Sequence, residues 1–198
     1  MVSGMSFPDL VRVLVLEPGG LRETFFPPAP ADYARIAHIV GSPAYGTESA
    51  LYNSPYALAL GHPAFGAVAS VRDLLRLGLR FAPENKRSIL SDATIRVMTS
   101  DQSGGAPGNL MEPGPIGPRP WGLGFAIHGG VPTLGFGDQT TPSAFGHPGA
   151  SGCTLVDDPV SEITLAFVSN RHLQTNVTRF SARLDSIVNS VWAAVTRR

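Results

Sequence analysis

The sequence predicts an α/β chain of the α+β kind, an antiparallel sheet packed by helices, and three observations lead there. First, the segments from Trp121 to His128, Cys153 to Val156 and Glu162 to Ser169 are rich in aromatic and β-branched residues and bounded by Gly, Pro and Asp, as neighbouring strands are. Second, the last two are separated by Asp157-Asp158-Pro159-Val160-Ser161, whose Asp and Pro suit a tight reversal and hence an antiparallel hairpin. Third, a final helix from about Asn176 to Val195 carries Phe180, Leu184, Ile187, Val188, Val191 and Val195 at helical spacing, a face fit to pack across that sheet.

The earlier elements follow in order. Ser6 is placed to cap a helix through about Leu16, with Pro8 and Asp9 in the first turn, where a missing N–H and a negative charge are favoured. Leu10, Val11, Leu14 and Val15 share its apolar face, and Glu17-Pro18-Gly19-Gly20 ends it. Phe25-Phe26-Pro27-Pro28-Ala29-Pro30 reads as a packed, extended loop, because its prolines remove backbone donors and its aromatics belong indoors. From Ala34 to Ala64, where Tyr45, Tyr52 and Tyr56 are scattered among Ser, Pro and Gly, long loops with short helical turns are expected.

Ser70 caps an amphipathic helix through about Phe81, with Val71, Leu74, Leu75, Gly78 and Leu79 on or near one face, and Ser91 opens a second helix to Met98. The Gly- and Pro-rich stretch from Ser103 to Pro120 reads as a surface excursion between a helical and loop region, 1–105, and a strand region with the last helix, 121–198.

With 198 residues the chain suits one domain with a sizeable core, or a large piece of a bigger one. Hydrophobic residues make up 43% and charged residues 15%, which excludes general disorder. The formal net charge is zero and no Lys or Arg cluster lines up with aromatics, so a nucleic-acid surface is excluded. Cys153 is the only cysteine, which rules out an intrachain disulfide and a cysteine-built zinc site; it reads as a small buried hydrophobe. His38, His62, His128 and His172 lack metal-ligand spacing, so no metal or cofactor is expected. There is no basic n-region and no run near the ~20 apolar residues of a membrane span, so the chain reads as soluble and, as written, cytoplasmic.

The chemistry-bearing stretch is Phe145-Gly146-His147-Pro148-Gly149-Ala150-Ser151-Gly152, a histidine in a glycine-rich bend before the hairpin. Gly146, Gly149 and Gly152 permit unusual backbone and close approach, so a polar side chain beside bare N–H groups could receive a carbonyl or carboxylate. The plainer alternative is a glycine-softened strand end whose His bonds locally. Gly149-Ala150-Ser151-Gly152-Cys153 resembles a nucleophile elbow without its last Gly, but an elbow needs a strand-to-helix turn and a strand follows here, so Ser151 reads as a turn serine. Asp157 with Asp158 is accounted for by the hairpin turn.

Taken in order, several phrases resemble the serine β-lactamase-related hydrolases, the superfamily of class C β-lactamases, D,D-carboxypeptidases and related esterases. They are Val2-Ser3-Gly4-Met5-Ser6; Glu17-Pro18-Gly19-Gly20-Leu21-Arg22-Glu23-Thr24-Phe25; Pro63 to Leu77 with Gly66, Ala69-Ser70 and Asp73-Leu74; Trp121-Gly122-Leu123-Gly124-Phe125; and Phe145-Gly146-His147-Pro148-Gly149 followed by Asp158-Pro159. The likeness covers nearly the whole chain and the later part of the family's domain. In that family a serine of Ser-x-x-Lys attacks a carbonyl, the lysine and a Tyr-x-Asn motif manage protons, and a third motif, Lys-Thr-Gly or His-x-Gly, lies on an edge strand.

The resemblance makes His147-Pro148-Gly149 that third motif. It implies that His147 faces substrate, that the N–H of Ala150 is one oxyanion-hole donor, and that Pro148, Gly149 and Ser151 border the substrate. Ser-x-x-Lys is absent, because Lys86 is the only lysine and Pro83 stands three before it. Tyr-x-Asn is absent too, since none of Tyr33, Tyr45, Tyr52 and Tyr56 has Asn two positions later. The expectation is therefore a partial domain over 1–198 of a serine hydrolase acting on an ester, amide or β-lactam carbonyl, inactive alone, with its nucleophile supplied by an upstream segment or a companion chain. The alternative is a non-catalytic remnant or interaction protein of the same fold, whose open sheet edge favours self-association.

Overall fold

The computed structural model describes residues 3–40, 52–82, 89–108, 117–172 and 177–195, the last span by its backbone alone as far as 181. Tyr45, much of the Ser103 to Pro120 excursion, Asn176 and the Phe180 side chain therefore lie outside the described residues.

Local chemistry sets the helix starts. The Ser6 hydroxyl accepts the Asp9 N–H and opens α1 (Phe7–Val11), which runs through a π-helical segment (Arg12–Leu16) into α2 (Glu17–Gly19) and stops at Gly20, in the left-handed conformation at φ 65°. The helix thus continues past the expected Leu16. Its π-helical turn departs from 3.6-residue spacing, and Leu14, expected on the apolar face, is 60% exposed. β1 (Thr24–Phe25) pairs with β2 (Val68–Ala69); between them lie a 3₁₀ turn (Pro30–Arg35) and α3 (Pro55–Ala59). Ser70 caps α4 (Val71–Leu79) and Ser91 caps α5 (Asp92–Met98). Buried Asp73 ties α4 to β1 by accepting the Glu23 N–H at 2.6 Å and the Thr24 hydroxyl at 3.2 Å. β3 (Pro107–Gly108) and β4 (Gly117–Pro118) form a minor antiparallel pair.

The main sheet has four antiparallel strands in the order β5 (Ala126–Ile127), β6 (Phe145–Gly149), β7 (Cys153–Asp158), β8 (Ile163–Phe167). All three expected strands differ in extent, β8 covering Ile163–Phe167 where Glu162 to Ser169 was expected. The one expected from Trp121 to His128 shrinks to two residues, because the chain doubles back through a turn at 122–125 closed by the Gly122 N–H on Phe125 O, and Trp121 bridges Ala126. A Cβ on Gly122 would stand 2.0 Å from Met98 O, so the end of α5 docks where a strand would have run. Conversely β7 runs on to Asp158, which puts Asp157 and Asp158 inside a strand with buried side chains rather than in the turn.

Residues alternate across β7. Val156 packs with Ala126, Phe136, Ala144, Val188 and Trp192 on the side of α6 (Val177–Val195). Leu155 faces the opposite layer, where Gly78 of α4 lies against it and Phe145 joins Phe81, Ile95 and Ile127 in a second core. The buried stripe of α6 is Leu184, Val188 and Trp192 at i, i+4, i+8; Val195, expected on it, is 51% exposed. Trp192 was absent from the sequence-derived face.

Candidate active site

β6 is covered unevenly. Phe145 and Gly146 pair with β5 on one side and β7 on the other, whereas His147, Pro148 and Gly149 pair with β7 alone. Proline, which lacks a ladder donor, is at home on such an edge. The three glycines of this stretch have different causes. Gly146 is steric, since a Cβ would sit 2.0 Å from Leu155 O and 3.0 Å from the Phe136 ring. Gly152 is conformational, at φ 83°, where it ends a three-residue hairpin loop by giving its N–H to Gly149 O at 2.9 Å. Gly149 is neither: its φ is not positive, and a Cβ would meet Cys153 Cβ at an ordinary 3.5 Å.

His147 is exposed, and its Nδ1 lies 2.6 Å from Pro148 O. A carbonyl only accepts, so Nδ1 carries the hydrogen and the neutral ring keeps a lone pair on Nε2. The Trp121 ring stands at 90° to the imidazole with centroids 5.6 Å apart. Trp121 also borders a cavity of about 30 Å³, together with Arg119, Thr133, Leu134 and Pro148. The segment that follows Thr133 and Leu134 is fixed from α6, where Asp185 accepts the N–H groups of Gly135 and Gly137 and Asn189 those of Asp138 and Gln139. Ala150 lies exposed in the hairpin turn after β6. Ser151 Oγ is 3.2 Å from Cys153 Sγ, and that half-buried thiol donates to Ser169 O at 3.3 Å, so the Ser151 hydroxyl is engaged with a thiol and not with His147.

A family model described as β-lactamase matches residues 1–186. The chain belongs to the β-lactamase family. Solved structures of similar fold include a β-lactamase from Mycobacterium bovis, with 24% identity and a TM-score of 0.72 over 98% of this chain and 58% of that one. EstA from Arthrobacter nitroguajacolicus Rue61a has 19% identity and a TM-score of 0.65 over 98% and 55% of the two chains. A mutant of the simvastatin synthase LovD from Aspergillus terreus has 18% identity and a TM-score of 0.53 over 99% and 53%. No curated protein matches. This β-lactamase-family chain thus spans a little over half the length of those structures, and at such identities the likeness is one of fold.

Three other titratable groups of this β-lactamase-family chain are shifted by burial and hydrogen bonding. Asp157 pairs across the sheet with Phe145, near the opposite end of β7 from the Ala150 turn. Burial pushes its carboxyl up to about 6, the Thr164 hydroxyl bond pulling the other way and the neighbouring Asp158 charge adding to the rise. Asp158 is equally buried, yet hydrogen bonds from Thr141, Ser161 and the Trp192 indole outweigh that burial and hold it below the usual carboxylate range. Burial lowers His128 as well. His62 stacks on Phe65 and takes the Ala64 N–H, while His172 stacks on Tyr52. Among the described residues no three His, Cys, Asp or Glu side chains converge to hold a metal ion, and no helix is long and apolar enough to cross a membrane.

Trp121, which lies against His147, and Arg119, which borders the cavity, carried no site role in the sequence reading. Trp121 reaches His147 only through the turn at 122–125, and the glycines of Trp121-Gly122-Leu123-Gly124-Phe125 were the available signal of such a turn.

Proposed function

We propose that the chain forms one wall of a serine-hydrolase active site that receives an ester, amide or β-lactam carbonyl. In this reading His147 faces the substrate through Nε2, and the exposed Ala150 N–H is one oxyanion-hole donor. Pro148, Gly149 and Ser151 border the bound acyl group. The nucleophile and its base come from residues outside these 198, since Ser151 is paired with Cys153 and no Ser-x-x-Lys is present. The observation that carries the reading is Gly149: it lies on the strand edge that β5 leaves bare, and the described chain itself makes no use of its missing side chain.

The test is binding rather than turnover. Phenylacetate, a simple carboxylate ligand, is titrated into the isotopically labelled chain; the expected result is a saturable shift of the Ala150 amide and the His147 ring, and shifts scattered elsewhere with none there would sink the reading. A fluorophosphonate probe should leave the chain unlabelled, and covalent labelling of Ser151 would overturn the assignment of the nucleophile to other residues.

A second reading, a non-catalytic binding or interaction protein of the same fold, draws on β8. Its Ile163-Thr164-Leu165-Ala166-Phe167 run has a near-continuous apolar sequence, yet it stands at the sheet's edge with no strand on its outer side among the described residues. Size-exclusion chromatography separates the two, because a monomer at all concentrations would count against self-association through that edge.

A further inference from the structure

Trp121 is held in place from three directions. Its backbone N–H donates to Asp101 Oδ1 at 3.1 Å, its carbonyl accepts the Gln102 N–H at 2.7 Å, and it bridges Ala126, which pairs with Gly146 immediately before His147. Strand β5 ends before it can cover His147, and the returning turn places the indole there instead, perpendicular to the imidazole.

An exposed histidine with a single hydrogen bond to the carbonyl of the next residue is free to leave that bond by rotating about its side-chain torsions, and once it leaves, either ring nitrogen can carry the proton. Here the second constraint is the aromatic contact. Perpendicular rings at this separation attract through their quadrupoles, and the contact restricts the imidazole on the side not held by the hydrogen bond.

We infer that Trp121 is a positioning residue for His147: its indole keeps the imidazole oriented so that Nδ1 donates to Pro148 O and Nε2 stays bare for a ligand proton. The inference deepens the proposed function and its catalytic meaning rests on that reading, but the contact itself requires neither nucleophile nor substrate. Trp121 also packs against the core around Ala126 and Phe136, so loss of stability alone says nothing about positioning.

The test therefore reads the ring directly. Long-range proton–nitrogen spectra of the full chain, with the His147 signals assigned by their loss in His147→Gln, should show the Nδ1–H tautomer dominant in the neutral ring, together with cross-relaxation between indole and imidazole protons. Trp121→Phe, which keeps an aromatic ring, should retain that tautomer. Trp121→Leu, folded by circular dichroism, should lose it and give the averaged pattern of a free imidazole. A folded Trp121→Leu chain with the native tautomer would overturn the inference. So would a native chain that already shows averaging or no indole–imidazole cross-relaxation, and this decides the matter should Trp121→Leu fail to fold. If the tautomer behaves as expected while phenylacetate shifts neither His147 nor Ala150, the positioning role stands and the hydrolase-wall reading falls.

Discussion

Gly78 of α4 lies so close to Leu155 of β7 that a Cβ on it would stand 2.7 Å from Leu155 Cδ1 and 3.0 Å from the Thr164 methyl. The helix approaches this face of the sheet as far as it does because position 78 has no side chain. Gly78→Val should destabilise the fold by about 1–3 kcal/mol, through overpacking and strain. A lower urea midpoint with an unchanged m-value would show it.

Asp157 makes stability depend on pH in an uncommon direction. Its carboxyl is raised from the usual 3.8 to about 6, so between roughly pH 4 and 6 the native chain holds a proton that the unfolded chain has released. Stability from this group is fully present below pH 4, falls as pH rises through 6 and is flat above. Asp157→Asn, whose amide oxygen can still accept the Thr164 hydroxyl, should gain on the order of 2 kcal/mol at pH 8 and little at pH 4. Denaturation midpoints at the two pH values check both the sign and the window.

Asp158 has the opposite role. Its carboxylate accepts the Thr141 N–H at 2.9 Å, the Thr141 hydroxyl at 2.7 Å, the Ser161 hydroxyl at 2.8 Å and the Trp192 indole N–H at 3.2 Å. Asp158→Ala takes this shared acceptor from the buried Trp192 indole and the half-buried Thr141 and Ser161 at once and should cost about 1–3 kcal/mol. Being held below its usual value, Asp158 also gives stability that is present above the unfolded-state value and lost as pH falls through the native one. In the Asp157→Asn background, acid titration followed by Trp fluorescence should retain that acid-side loss.

The glycines of β6 should separate in a paired experiment. Gly146→Ala drives a methyl into Leu155 O at 2.0 Å, a clash that the ladder cannot relieve, and should abolish cooperative folding. Gly149→Ala meets only ordinary contact and should change stability by less than about 0.5 kcal/mol. If the proposed function holds, the same Gly149→Ala chain loses the phenylacetate response at Ala150. A large stability loss at Gly149 would instead give that glycine a structural purpose.

What the sequence revealed was local. Ser6, Ser70 and Ser91 could be read as caps because their partners, the N–H groups of Asp9, Asp73 and Thr94, stand three residues away. The β7–β8 hairpin was legible because its strand and turn chemistry lie side by side in the chain. What escaped depended on distant partners. The shortening of β5 comes from Met98 O meeting Gly122, and the burial of Asp157 in a strand is supported by Thr164 across the ladder. Trp192 is buried because its indole finds an acceptor in Asp158. The candidate site divides likewise: composition singled out His147 and its glycines, but only their neighbours distinguish Gly146, Gly149 and Gly152 from one another, and bring Trp121 to the ring.

The brevity of β5 makes the main sheet taper, four strands wide at Phe145, three at Pro148 and two at Gly149. Main-chain hydrogen bonding at the narrow end is indifferent to side-chain identity, so a molecule settling there could be gripped without being recognised. If the proposed function holds, discrimination among occupants then falls to the flank that stands where the absent strand would run, the indole of Trp121. On that reading grip and choice belong to different parts of the chain, and the flank could change its preferences without disturbing the ladder.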